Sequence, residues 1–151
     1  MGLISGILKK LTIAKEVKIY FQRYPGTDAA SGIAGVPCKF WVRGDKEVRE
    51  GETAKDGSIS LRLKKGQVGV LSIFGTIYQI SVRTSVEGID KVKGQQRRLA
   101  MLGYGPGPLD GILGAKTDRA ILNFQADNNP LDTQGTMDAK TRDALKKAAG
   151  V

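Results

Sequence analysis

The sequence predicts an α+β protein of two domains, an N-terminal antiparallel β-sandwich followed by a small three-helix bundle. Three observations lead there. Between Val17 and about Thr84, short runs alternate apolar and polar residues, and turn residues separate the runs. From Glu87 onward the apolar spacing lengthens to that of a helix. Within this second part, a turn-then-helix unit occurs twice at an offset of 24 residues. The expected divisions are an arm over residues 1–15, a sandwich over 16–86 and a helical domain over 87–151.

The arm, "MGLISGILKKLTIAKE", places Ile4, Ile7, Leu8 and Leu11 at helical spacing. Its lysines, Lys9 and Lys10, follow the apolar residues instead of preceding them, which is the reverse of a secretory signal. A short amphipathic helix is expected. It could dock onto a partner protein or a membrane surface, or pack on its own domain.

The strands follow in order. "VKIYFQRY" is rich in β-branched and aromatic residues. "VPCKFWV" sets Val36, Cys38, Phe40 and Val42 on one face. "SISLRL" opposes Ile59, Leu61 and Leu63 to Ser58, Ser60 and Arg62. "VGVLSIF" is continuously apolar, and "TIYQISVR" alternates Tyr78, Ile80 and Val82. Asp56-Gly57, just before the third of these runs, is read as a hairpin turn. Lys64–Gln67 and Phe74–Thr76 separate the runs that follow. The segment "ETAKDGSISLRLKKGQVGVLSIFGTIYQISV" resembles small sandwich modules of the transthyretin-like or carboxypeptidase-regulatory type. That resemblance implies a structural or adaptor role.

Composition narrows the chemistry. The formal charge is +9, and residues 1–85, with 14 Lys/Arg and 7 Asp/Glu, hold +7 of it. A basic balance suits either solubility or a polyanionic surface. The single cysteine, Cys38, excludes an internal disulfide, and its apolar run marks it as a small buried hydrophobe. With no histidine, the usual zinc sites and Cys-His nucleophiles are excluded. Paired carboxylates remain available for sugar hydrolysis, but most Asp and Glu stand in turns or at helix starts. The strands lack the interleaved aromatic and basic platform of nucleic-acid binders. No cofactor, metal or nucleic acid is expected.

In the helical part, Ile89, Val92, Leu99 and Leu102 form one face, and Gly103 ends that helix. The glycines of "GYGPGPLDG" suggest a phosphate cradle. Pro106 and Pro108 lack N–H donors, however, and a helix instead of a strand precedes them. The better reading is a repeat. "DGILGAKTDRAI" (110–121) aligns with "QGTMDAKTRDAL" (134–145). Gly111 matches Gly135, Ala-Lys-Thr recurs, and Gly114 and Asp138 are both competent N-caps. The buried faces are expected to hold Ala120, Ile121 and Phe124, then Met137, Thr141, Leu145 and Ala148. Thr117 and Thr141 are expected to bond within the first turn of their helices.

Leu102-Gly103-Tyr104, Asp110-Gly111, Gly114, Thr117, Phe124-Gln125, Gly135 and Thr141 together resemble the three-helix peptidoglycan-binding domain of cell-wall hydrolases. The chain departs from that pattern at Gln95, where leucine is usual, at Leu113, where an aromatic is usual, and at Gln134 and Asp138. The resemblance implies wall binding without catalysis by this domain, with Tyr104, Asp110, Asn123 and Gln125 as candidate contacts. The expected whole is a non-catalytic adaptor. Residues 1–85 would meet a protein partner in a larger phage-tail-like or contractile injection particle, made in the cytoplasm without a signal peptide and acting at the wall, with no membrane contact. The alternative is a targeting or regulatory subunit of a wall hydrolase.

Overall fold

The computed structural model describes residues 14–26, 29–83 and 85–151. Most of the expected amphipathic arm lies outside the described residues. Six strands precede three helices: β1 (Lys15–Tyr20), β2 (Pro37–Val42), β3 (Val48–Glu52), β4 (Ser58–Leu63), β5 (Val68–Ile73), β6 (Thr76–Ser81), α1 (Val92–Met101), α2 (Ala115–Asp127) and α3 (Ala139–Ala149). The two-part α+β architecture is as the sequence predicts.

The strands form two antiparallel sheets, β1-β4 and β3-β2-β5-β6. In the larger sheet Phe40 pairs with Leu71 and Leu71 with Tyr78, so these residues share one face. That face packs on the small sheet. Ile19 and Ile59 contact both buried clusters, one around Cys38, Leu71 and Ile73, the other around Phe40, Leu61 and Leu63. β5 is buried on both faces, with Leu71 and Ile73 on one and Val70 on the other, in keeping with its largely apolar run. Cys38, on β2, is buried against Leu71 and Ile73, and that burial pushes its thiol pKa up. Tyr78 departs from its expected inward role: it is half exposed, because β6 is an edge strand.

The hairpin assignment changes. Asp56-Gly57 lies between β3 and β4, which belong to different sheets. The turn is tight, with the Asp56 carboxylate accepting from the Ser58 N–H at 3.0 Å. Yet β4 leaves it to pair with β1, from Ser58 opposite Tyr20 to Leu63 opposite Lys15. The buried hydroxyl of Thr53 anchors the crossing: it donates to the Ile33 carbonyl at 2.6 Å and accepts from the Val36 N–H at 3.0 Å. The two-residue hairpin lies instead at Phe74-Gly75, where both residues have positive φ, 50° and 73°. Two such residues match the right-handed twist of the strands.

The helices enclose a separate core of Leu99, Leu102, Tyr104, Ala120, Ile121, Phe124 and Leu145, with Ile89, Met137 and Ala148 packed against it. The caps follow the repeat. Gly114 and Asp138 stand at the two N-caps, and Asp138 accepts from the Thr141 N–H at 2.8 Å. Gly103, at φ +86°, turns the chain after α1. Gly94, inside α1, faces the backbone of Glu87 and Gly88 so closely that no Cβ fits there.

Candidate functional site

The two turn-helix units are held in the same way, each by a glutamine from the preceding helix. In the first unit Gln96 of α1 is fully buried. Its carbonyl accepts from the Gly111 N–H at 2.9 Å. Its amide faces the Ile112 carbonyl at 2.9 Å, with Asp110 Oδ1 and Thr117 Oγ1 each at 3.2 Å. In the second unit Gln125 of α2 repeats this. Its carbonyl accepts from the Gly135 N–H at 2.9 Å, and its amide donates to the Thr136 carbonyl at 2.8 Å and Thr141 Oγ1 at 3.1 Å. Each glutamine, itself buried, pairs with backbone groups of a turn that has no ladder of its own.

The threonines are structural, as expected, but bond farther away than their own first helical turn. Thr117 Oγ1 donates to the Pro106 carbonyl at 3.0 Å and receives Gln96. Thr141 Oγ1 receives Gln125. The second clamp has no counterpart of the Asp110 carboxylate, since Gln134 stands there. The Asp110 carboxyl lies below its usual range because the Ile112 N–H and then the Gln96 amide bond to its charged form.

The four sequence-selected residues are not brought together as one constellation. Tyr104 is only 7% exposed. Its ring meets Phe124 edge-on at 5.5 Å, and its hydroxyl donates to Asp127 at 3.0 Å. Burial and then the Asp127 carboxylate push its pKa up to about 12. Gln125 is likewise buried, and its polar atoms are spent on the second turn. A ring or amide held in this way has no free face for a sugar. Asp110 braces the first turn at the surface. Asn123 alone is a plainly exposed side chain of a helix. Its spacing sets it on one face of α2 with exposed Lys116 and Arg119. Beside the first clamp, the side chains of Ile112 and Leu113 are also exposed.

Sequence reading missed Gln96 and Arg98. Gln96 precedes its glycine by 15 positions and Gln125 by 10, so a search at a constant offset pairs the turns and not the clamps. Buried Arg98 gathers the carbonyls of Glu87, Gly94 and Val151 at 2.8 to 2.9 Å, tying the start of the helical part to its end. Among the described residues no group of three or more His, Cys, Asp or Glu could hold a metal ion. Nor is any helix there long and apolar enough to cross a membrane.

Both clamped turns, α1, α2 and the first part of α3 fall within one stretch. Residues 90–145 match the peptidoglycan binding domain family. The match takes in α1, α2 and most of α3 and stops short of the sandwich, whose likeness to transthyretin-like modules receives no support from it. No curated protein and no solved structure matches the chain. The stretch that matches this family is built on two glutamine-clamped turns, and the match supports cell-wall binding with peptidoglycan as partner.

Proposed function

We propose that the chain is a non-catalytic adaptor that fixes a larger assembly, a phage-tail-like or contractile injection particle, to the bacterial wall. The helical part, 87–151, grips peptidoglycan, and the preceding residues face the assembly. The family match over residues 90–145 carries the wall-binding half of this reading. Among the described residues no strand pairs with the outer edge of β6, which has no charged residue, and this supports the assembly half, because such an edge can accept a partner strand. Within the helical part we assign surface contact to the Asp110 turn and to Asn123 with its basic neighbours. Tyr104 and Gln125 act from inside by holding that surface in shape.

The test is co-sedimentation of the full chain with purified sacculi, followed by mass spectrometry of gradient-purified particles from the producing cell. The chain should pellet with sacculi, release no soluble muropeptides, and appear in the particle fraction. Absence from particles, with recovery bound to a wall hydrolase, would establish the regulatory-subunit alternative. Muropeptide release lost on mutating one Asp or Glu would overturn the non-catalytic reading.

A further inference from the structure

The sandwich and the helical part meet at a built junction. The Gly26 N–H donates to the Leu102 carbonyl at 2.8 Å. Gly26 and Gly103 both have positive φ, 108° and 86°. A Cβ at either glycine would make only ordinary contact, with Tyr104 or with Pro25, so it is the left-handed backbone of this junction that calls for glycine. Above this contact lies a cleft of about 750 Å3. One wall is β1 and the segment after it, with Lys18, Tyr20, Arg23 and Tyr24; the other is the end of α1 and the end of α3, with Met101, Ala148 and Ala149.

The cleft's chemistry is specific. Tyr24 is 71% exposed and Tyr20 47%, so two aromatic rings are left open to solvent beside a concave surface. Lys18 and Arg23 flank them, and Asp56 is the one acid lining the cleft among the described residues. The opposite wall is formed by two helix C-termini, which carry partial negative charge. Exposed rings bind the apolar faces of sugars, lysine and arginine bind carboxylates, and helix C-termini favour an ammonium group. A muropeptide offers all three: sugar rings, peptide carboxylates and an amine.

We propose that this cleft is a second peptidoglycan site, composed jointly by the sandwich and the helical part. It takes a muropeptide with its sugar on Tyr20 and Tyr24 and its carboxylates on Lys18 and Arg23. The inference rests on the wall-binding reading but places part of the grip outside the family-matched residues. It gives the close junction a purpose, since neither wall makes the cleft without the other.

The experiment titrates the full chain with a purified disaccharide–tetrapeptide, in parallel with sacculus co-sedimentation. Tyr24→Ala and Arg23→Ala should each weaken muropeptide binding about tenfold, the loss expected for one stacking or charge-assisted contact. Tyr24→Phe should retain the ring and bind as the parent chain does. Circular dichroism should be unchanged in all three, since these side chains are on the surface. Di-N-acetylchitobiose, which keeps the sugar rings but has no carboxylate, should bind more weakly and show no sensitivity to Arg23→Ala. Equal muropeptide binding by parent, Tyr24→Ala and Arg23→Ala overturns the cleft proposal, while continued pelleting of the parent chain leaves the wall-binding reading standing. Failure of the parent chain to pellet with sacculi defeats both.

Discussion

Gln96 and Gln125 show how one side chain can hold a turn that has no ladder of its own. Each joins a helix to a glycine turn through partly buried hydrogen bonds. Gln96→Ala or Gln125→Ala would strand a glycine N–H and a carbonyl, at a cost of roughly 1–3 kcal/mol each. Urea melts of the two variants should show that loss, with wall binding falling as the surface above each turn loosens. Tyr104 supplies a second measurement. Its folded pKa is raised to about 12 from an ordinary value near 10, so its contribution is complete below pH 10. That contribution disappears as pH rises from 10 to 12. Tyr104→Phe should flatten alkaline unfolding in this window and leave sacculus binding intact, because the ring faces Phe124 and not solvent.

Among the elements, the β5–β6 hairpin and the β3–β4 crossing divide the work that similar turn residues suggest. Asp56-Gly57 has the sequence of a hairpin turn, but its flanking strands separate into different sheets. Phe74-Gly75 makes the hairpin with two left-handed residues, one of them a phenylalanine whose ring lies 5.5 Å from that of Phe21. Gly75 borders open space, so a methyl group there meets no atom. The cost of Gly75→Ala is therefore backbone strain alone, about 1–2 kcal/mol. A thermal melt should report that loss, with the helical circular dichroism signal keeping its shape.

For the whole molecule, the question is how independent the two parts are. Among the described residues the helical core draws on Ile89 to Ala148 and takes none from the sandwich. Residues 86–151 alone should therefore melt cooperatively, checked by circular dichroism and calorimetry. The bidentate pair of Arg97 with Glu87, at 2.7 and 3.0 Å, closes the entrance to this unit. The Arg97 guanidinium holds the Glu87 carboxyl at about 2, below its ordinary value of 4.5. Because the folded value is lowered, the pair stabilises fully above pH 4.5, and its contribution fades as pH falls toward 2. The stability gap between the parent chain and Glu87→Gln should shrink across that interval. If the junction at Gly26 and Leu102 forms a shared site, the isolated helical part should also bind walls more weakly than the full chain.

The sequence by itself determined what depends on neighbours in the chain. Alternation marked the strands, helical spacing marked the bundle, and the repeat at Gly111 and Gly135 with its caps at Gly114 and Asp138 located α2 and α3. These features follow from local hydrogen bonding and the period of one element. Only the tertiary structure decided which strands pair, so the hairpin moved from Asp56-Gly57 to Phe74-Gly75. It also decided that Tyr104 and Gln125 turn inward, that Gln96 reaches a turn 15 residues away, and that Tyr20 and Tyr24 come to face α1 and α3. Each of these outcomes rests on contacts between segments far apart in the chain. Pairing and burial are settled by which surfaces meet, and no single run of residues carries that information.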